Sequence, residues 1–241
     1  MRLELNDLQK EFGDKRVLNS LNIDIEDHHI IGVIGPSGGG KSTLLRMIAG
    51  FESITGGSIE LNDINVGQEI EKLHKRCGFV FQSHHLFLHL TVLENITLIL
   101  EEVHDYSEQE AADKAIRLLD KFGLKQHVNK KPEQLSGGQS QRVAVIRALA
   151  IDPDVLLFDE PTSSLDPVLT YDVLETILEL KKEQKDFIIV THEIGFVKEV
   201  ADYIVFIHEG QIVEHGPVKI VEEPKTGELD NFLSKVFSWA E

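Results

Sequence analysis

The architecture of this 241-residue chain can be worked out from one stretch, Gly35-Pro36-Ser37-Gly38-Gly39-Gly40-Lys41-Ser42-Thr43. It follows the apolar run 30–34 and precedes residues 44–50, whose apolar spacing is helical and which end at a glycine. A strand, a glycine-rich loop and a helix in this order are the setting of a phosphate-binding loop. The glycines let the backbone curl until successive N–H groups converge, and the helix N-terminus adds its partial positive charge. The stretch therefore predicts a site for a nucleoside triphosphate.

Two side chains of this loop are expected to take part directly. Lys41 is expected to reach the terminal phosphates, and Ser42 is expected to be a ligand of Mg²⁺. Kinases, GTPases and motor proteins all use such a loop, so the loop indicates the ligand rather than the function. The remaining residues have to distinguish between these classes.

Composition and charge limit the partners and the cellular compartment that we expect for this chain. Lys and Arg together number 24 and Asp and Glu number 41, which gives a formal net charge of −17. An acidic surface of this size argues against nucleic acid as the main partner and against electrostatic docking on anionic lipid. No apolar run approaches the roughly 20 residues that span a bilayer, and the N-terminus lacks a signal-peptide pattern. The single cysteine, Cys77, suits a reducing compartment, so we expect a cytoplasmic protein that reaches a membrane only through other proteins.

The pattern along the chain predicts an α/β protein with an insertion. Residues 1–35 alternate between apolar and polar positions, which predicts antiparallel β structure. Residues 91–150 have a helical pattern, and strands and helices alternate afterwards as in a parallel sheet. We expect one domain, 1–241, with a core of residues 1–90 and 151–241, an N-terminal antiparallel β subdomain and a helical subdomain at 91–150. Within the helical subdomain, a helix is predicted at 143–150. The last residues, 217–241, are predicted to form short helices.

Two carboxylates stand at the end of the apolar strand predicted at 155–158. Such a strand in a parallel sheet ends beside the phosphate loop, so Asp159 is expected to hold Mg²⁺ through its water shell. Glu160 would then face the γ-phosphate and polarise the attacking water as a general base. Acidic residues also follow strands without any catalytic role, but a position downstream of a phosphate loop favours the catalytic interpretation.

The segment Leu135-Ser136-Gly137-Gly138-Gln139 predicts a second anion-binding site. Ser136 and two glycine N–H groups at a helix start would bind an anion, although the chain already has a phosphate loop. We therefore expect this segment to bind a nucleotide that a second copy of the chain holds.

These motifs together resemble a known family. The order GPSGGGKST, Gln82, LSGGQ, LLFDE, SSLD and His192 is similar to the ATP-binding cassette of ABC transporters across essentially the whole chain. The resemblance implies a P-loop NTPase core with an inserted helical subdomain, and an ATPase that uses ATP and Mg²⁺.

The resemblance assigns roles around one nucleotide. Phe12 looks like the aromatic residue that stacks on adenine, with Val17 packing nearby. Gln82 matches the glutamine that touches Mg²⁺ and the attacking water, and His192 matches the switch histidine. The implied catalytic residues are Glu160, Gln82 and His192, and the implied metal ligands are Ser42, Gln82 and Asp159.

Other matches imply a partner copy. Residues 136–139 match the signature that closes on the γ-phosphate of the opposing subunit, and Asp166 matches the loop that reaches across the dimer. The resemblance therefore implies a head-to-tail homodimer around two MgATP, whose opening is favoured by hydrolysis.

Residues 191–202 and 231–236 are most similar to cassettes of polar amino-acid importers of the histidine, glutamine and arginine type. This implies import of a small polar solute, with the cassette on separate membrane subunits at the cytoplasmic face of the membrane. The expected docking groove is Gln82–Ile96, with exposed apolar side chains at Leu86, Phe87, Leu88, Leu90 and Val92. The alternatives are a lipoprotein-release or cell-division cassette, and a nucleotide-controlled interaction protein that closes without turnover.

Overall fold

The computed structural model describes residues 1–237, and the chain divides into two compact units. The first unit holds Met1–His74 and the described part of Asp186–Glu241, and the second unit holds Lys75–Lys185. The strands are β1 (Leu3–Phe12), β2 (Lys15–Ile25), β3 (Ile30–Ile34), β4 (Gly56–Leu61), β5 (Ile64–Asn65), β6 (Cys77–Val80), β7 (Val155–Asp159), β8 (Phe187–Val190), β9 (Tyr203–His208) and β10 (Gln211–Pro217). The helices are α1 (Lys41–Ile48), α2 (Ile70–Arg76), α3 (Val92–His104), α4 (Glu108–Lys121), α5 (Gly137–Leu149), α6 (Pro167–Lys182), α7 (Ile194–Val200) and α8 (Gly227–Phe237).

An antiparallel sheet opens the first unit, as the alternating pattern predicts. Its strand order is β2-β1-β4-β5, and β1 pairs with β2 from Leu3 opposite Ile25 to Phe12 opposite Lys15. Alternate residues at the start of β1 are buried, as a strand with one covered face requires. The sheet carries Phe12 at the end of its first strand.

The second layer of the first unit is built around β3. This strand pairs in parallel with β8 on one side and β9 on the other, and β10 pairs antiparallel with β9. All five residues of β3 are buried, which is typical of a strand covered on both faces. The expectation of antiparallel structure up to residue 35 is therefore wrong for Ile30–Ile34. A wholly apolar strand buries most hydrophobic surface when it lies inside a parallel sheet with both faces covered.

The second unit joins a pair of parallel strands to a group of helices. In the pair of β6 and β7, Val80 lies opposite Phe158, and α3 and α4 both contact α5. Capping boxes at Thr91 and Ser107 start α3 and α4. At the start of β6, burial raises the pKa of the Cys77 thiol to about 12, so this thiol stays protonated at neutral pH.

Three helices differ from the sequence prediction. α5 begins at Gly137, which agrees with the helix start expected at Ser136 and is earlier than the apolar spacing at 143–150 predicts; the side chains of Ser136 and Gln139 form the capping box that starts it. The short helices α2 and α7 have no counterpart in the sequence prediction. After Pro217 the chain forms a 3₁₀ turn at Val218–Val221 and α8, while residues 238–241 of the predicted helical end lie outside the described residues. Within residues 1–237, no helix is both long and apolar enough to span a bilayer.

Candidate nucleotide-binding site

The phosphate-binding loop lies between β3 and α1, and two of its glycines adopt conformations that require glycine. Gly35 has φ +145°, and a Cβ atom there would lie 2.0 Å from the carbonyl oxygen of Ile207. Gly40 has φ +101°, and a Cβ atom there would lie 2.5 Å from the Leu18 side chain. Gly40 is also the N-cap of α1, with no side-chain hydrogen bond at that cap. The N-terminus of α1 therefore lies at the end of the glycine loop, where the helix dipole favours an anion.

Lys41 lies across the loop that it follows. Its Nζ donates hydrogen bonds to the carbonyl oxygens of Gly35 (2.9 Å) and Pro36 (3.0 Å), and the residue is 4% exposed. This holds a cation against the backbone of the loop in which a phosphate is expected to bind. The neighbouring residues Ser37 and Gly38 are exposed, and Ser42 and Thr43 are half-buried.

The turn between β9 and β10 supports the loop from the side. The Gly210 N–H donates to the Gly39 carbonyl oxygen (3.2 Å), and the Asn19 N–H donates to the Gly210 carbonyl oxygen (2.9 Å). The carbonyl oxygen of the half-buried Val17 lies 3.3 Å from the position of a Cβ atom on Gly40. The strand that carries Val17 is therefore in contact with the phosphate loop.

Phe12 and His192 are both accessible in the first unit. Phe12 is 47% exposed at the end of β1, as a ring that stacks on a base has to be. His192 is exposed two residues beyond β8, whose Val190 lies opposite Val33 of β3. Because β3 and β8 are parallel, His192 and the start of the phosphate loop lie at the same edge of the sheet.

The second unit holds the two carboxylates and the glutamine. Asp159 is fully buried at the end of β7, and the half-buried Glu160 follows it with φ +48°. Gln82 is exposed just beyond β6, which is parallel to β7, so Gln82 and Glu160 follow their strands at one edge. A left-handed backbone at a residue other than glycine costs about 1–2 kcal/mol and is concentrated at functional sites. Other residues, among them Ser20 and Glu209, share this left-handed φ, so the role proposed for Glu160 depends on its position after β7 as well.

The signature residues form the start of α5. The Gln139 N–H donates to the Ser136 hydroxyl (3.2 Å), and the Ser136 N–H donates to the side-chain oxygen of Gln139 (3.0 Å). A Cβ atom on Gly137 would lie 3.0 Å from the Leu165 side chain, and one on Gly138 would lie 3.2 Å from Leu169. Ser136 itself is exposed. The glycines thus allow close packing behind a helix start that remains open to an anion.

Asp166 lies between those two leucines. Its carboxylate accepts hydrogen bonds from the N–H groups of Val168 (3.0 Å) and Leu169 (2.9 Å), which makes it the N-cap of α6. The residue is exposed. The Asp166 loop and the signature helix are therefore packed together within the second unit.

Two residues of α5 that the sequence analysis did not single out hold the segment after β6. Gln141 is fully buried and donates to the Phe81 carbonyl oxygen (3.1 Å). Arg147 donates to the carbonyl oxygens of His85 (2.9 Å) and His84 (3.4 Å). A polar residue among the apolar residues of a helix is the signal that could have identified them, because buried polar groups take partners.

A cavity of about 380 Å³ lies beside this segment. Leu88 at its wall is 71% exposed, and Phe87 is also exposed, as a docking surface requires. Val92 and Leu86 are buried, so the expectation that both are exposed is wrong. Val92 is the first residue of α3 and belongs to the apolar face that the helix buries. The cavity is lined by Ser83, His84, His85, Leu86, Leu88, Pro132, Glu133 and Ser140.

Comparisons with known proteins identify the family of this chain. Residues 18–163 match the family model described as ABC transporter. The glutamate/aspartate import ATP-binding protein of Escherichia coli (strain K12) is 41% identical over 238 residues, which are 97% of this chain and 99% of that protein. The arginine transport ATP-binding protein of Bacillus subtilis (strain 168) is 44% identical over 238 residues, with the same two coverages of 97% and 99%.

A solved structure matches as well. It is a dimeric post-hydrolysis state of the ATP-binding cassette MJ0796 bound to ADP and Pi, with a TM-score of 0.80 and 31% sequence identity. The match covers 90% of this chain and 98% of that chain. Because the family match spans more than half of the chain and the relatives nearly all of it, the chain belongs to the ABC transporter family, as an ATP-hydrolysing cassette.

Proposed function

We propose that this cassette energises the import of a small polar solute, an amino acid, through membrane-spanning subunits that are separate chains. The observation that carries the proposal is the 41% and 44% identity, over nearly the whole chain, to ATP-binding proteins named for glutamate/aspartate import and arginine transport. Release of lipoproteins, cell division and nucleotide-controlled binding without turnover are less favoured, because these relatives are named for amino-acid transport.

The proposed chemistry uses one ATP for each phosphate loop. The loop N–H groups and Lys41 bind the phosphates, and the exposed ring of Phe12 stacks on the adenine with Val17 beside it. Glu160 accepts the proton of the attacking water as general base, and Gln82 and His192 orient the water and the γ-phosphate.

A magnesium ion fits the donors that the sequence offers. Ser42, Gln82 and Asp159 supply a hydroxyl, an amide and a carboxylate oxygen, the hard donors that Mg²⁺ prefers. When bound, Mg²⁺ neutralises charge on the phosphate oxygens. We assign these three residues to it.

Two copies would associate head to tail to complete each site. Ser136, Gly137 and Gly138 of one copy would cover the γ-phosphate held by Lys41 of the other, and Asp166 would reach across with them. The exposed helix start at Ser136 supports this, because its capping box uses the N–H groups of Ser136 and Gln139 and not those of Gly137 and Gly138. Gln139 would act there by holding Ser136 in place. Hydrolysis and loss of phosphate would then remove the charge that holds the interface closed.

The membrane-spanning subunits would dock at the cavity beside the segment Gln82–Ile96, on the cytoplasmic face of the membrane. Leu88 and Phe87 would supply apolar contacts to a helix of the partner. Gln141 and Arg147 hold the backbone of this segment to the signature helix, so docking could be transmitted to Ser136. The formal charge of −17 favours such a protein contact over direct binding to anionic lipid or nucleic acid.

The test of this proposal is uptake into proteoliposomes that contain the cassette and the membrane subunits encoded beside its gene. We expect ATP-dependent uptake of a radiolabelled polar amino acid when the matching binding protein is added. Leu88→Asp should abolish uptake while ATP still binds, and Phe237→Asp, at an exposed residue of α8, should leave uptake unchanged. ATP turnover without uptake of any amino acid would contradict the import of amino acids.

A further inference from the structure

Lys10 is a buried cation on β1, in the same strand as Phe12. The residue is only 3% exposed. Its Nζ donates hydrogen bonds to the carbonyl oxygen (2.7 Å) and the hydroxyl (3.2 Å) of Ser53, and it forms an ion pair with Glu52 (3.1 Å). An ammonium group has three N–H bonds, so these partners hold it in one place. Lysine is rarely buried to this degree unless it is paired.

The same ammonium group lies over the ring of Phe12. Its Nζ is 4.5 Å from the ring centroid, within the roughly 6 Å at which a cation is attracted to an aromatic face. Phe12 nevertheless remains 47% exposed. The cation covers one face of the ring and leaves the remainder of the side chain accessible.

We propose that Lys10 is a positioning residue for nucleotide binding, which fixes the Phe12 ring from one face so that the other face stacks on the base. The proposal rests on the proposed function, in which Phe12 stacks on adenine. Holding the ring in place before the nucleotide arrives removes the entropic cost of ordering it on binding. The cation also draws electron density from the ring, which reduces the repulsion between two stacked π systems.

The partners of Lys10 connect the ring to the segment that follows α1. Glu52 and Ser53 follow α1, the helix that begins at Lys41. Through one ammonium group, the base-binding ring is therefore attached to the segment that follows the phosphate-binding helix. This explains why a lysine is buried here, where an apolar residue would fill the space without such a connection.

The experiment compares ATP, which carries a base, with inorganic tripolyphosphate, which carries none. Dissociation constants for ATP and for inorganic tripolyphosphate are measured by calorimetry with the full chain and with Lys10→Met, Lys10→Arg, Phe12→Ala and the Lys10→Met/Phe12→Ala double variant. We expect Lys10→Met to weaken ATP binding roughly two- to fivefold, the scale of a cation–π contact to an exposed ring, and to leave tripolyphosphate binding unchanged. Lys10→Arg keeps the cation and should restore ATP affinity. The double variant should bind ATP no more weakly than Phe12→Ala alone.

An equal loss for both ligands in Lys10→Met would overturn the proposal, because Lys10 would then act on the phosphate loop. Losses that multiply in the double variant would overturn it as well, since the two residues would act independently. If Phe12→Ala itself leaves ATP affinity unchanged, the stacking role within the proposed function fails, and that outcome is separate from a failure of Lys10 alone. Should Lys10→Met not fold, Lys10→Gln removes the charge and keeps a donor for Ser53, and the same comparison applies.

Discussion

At the scale of single residues, the informative feature is the backbone of Glu160. Its φ of +48° is left-handed, and it follows the fully buried Asp159 directly. The Ser163 N–H and hydroxyl both donate to the Glu160 carbonyl oxygen, at 3.3 and 3.1 Å. These bonds hold a conformation that a free chain would avoid. The strain is consistent with a carboxylate that has to point in one direction.

Glu160→Gln tests that carboxylate with little change in shape, because glutamine has the same length and meets the same backbone strain. We expect ATP to bind as before, while turnover falls roughly a hundredfold or more, the scale of losing a general base. Size-exclusion chromatography should then show a dimer only when ATP is present. Glu175→Gln, the same change at an exposed position on α6, should leave turnover unaltered. Turnover close to that of the unmodified chain in Glu160→Gln would remove Glu160 from the assignment.

At the scale of elements, α8 depends on one buried carboxylate from β10. Glu214 accepts hydrogen bonds from the N–H groups of Lys225 (3.0 Å) and Thr226 (2.9 Å) and from the Thr226 hydroxyl (2.7 Å). The Thr226 hydroxyl in turn accepts from the Leu229 N–H (3.4 Å). Burial acts to raise the pKa of Glu214, but the hydrogen bonds from Thr226 and Lys225 outweigh it, and the pKa lies below the ordinary value of 4.5.

Glu214→Gln removes the charge from this cap, and we expect it to lower the free energy of unfolding by about 1–3 kcal/mol at neutral pH. A carboxyl group whose pKa is lowered by folding stabilises the fold above its unfolded value and loses this effect as the pH falls through its folded value. The difference between the two proteins should therefore shrink as the pH falls below 4.5. Urea denaturation at several pH values measures it. Glu223→Gln, at an exposed surface pair with Lys219, should show almost no difference, and an equal loss there would refute the role of Glu214.

At the scale of the whole molecule, the proposed dimer predicts that the combined effect of two mutations depends on whether they lie on the same copy or on different copies. Two copies joined by a flexible linker carry Lys41→Ala and Ser136→Asp in a Glu160→Gln background. Aspartate is also a good N-cap, so it should keep α5 intact while its charge repels a phosphate. In a head-to-tail dimer, each site takes Lys41 from one copy and Ser136 from the other.

With the two changes on different copies, we expect one ATP to be retained per linked pair, because one site keeps both of its normal residues. With both changes on the same copy, we expect none, since each site is damaged. Retained nucleotide after gel filtration is the measurement. Ser107→Asp, at the equivalent capping box of α4, should have no effect in either arrangement. The reverse result would show that Lys41 and Ser136 of one copy act together.

Much of this protein follows from local patterns. The glycine loop with its strand and helix, the Ser107 cap and the apolar strands at 155–158 and 187–190 are all recognisable, because each depends on neighbours in sequence. The start of α5 follows from the capping box at Ser136, whereas apolar spacing alone places it at Val143. The burial of Val92 was missed because exposure depends on what packs against a helix rather than on its own sequence.

The chain's motifs by themselves determined the family, the phosphate loop and the residue types around a nucleotide. Each of these motifs is a short run of residues whose chemistry suits phosphate, metal or base. Only the tertiary structure decided that Lys10 is buried beneath Phe12, that Glu214 holds Thr226 at the start of α8, and that Gln141 and Arg147 hold the segment after Gln82. Each of these contacts joins residues from different elements, or depends on a backbone path that no local pattern specifies. The physical reason is that a buried polar group must find its partner in space, and the fold alone determines which partner is near.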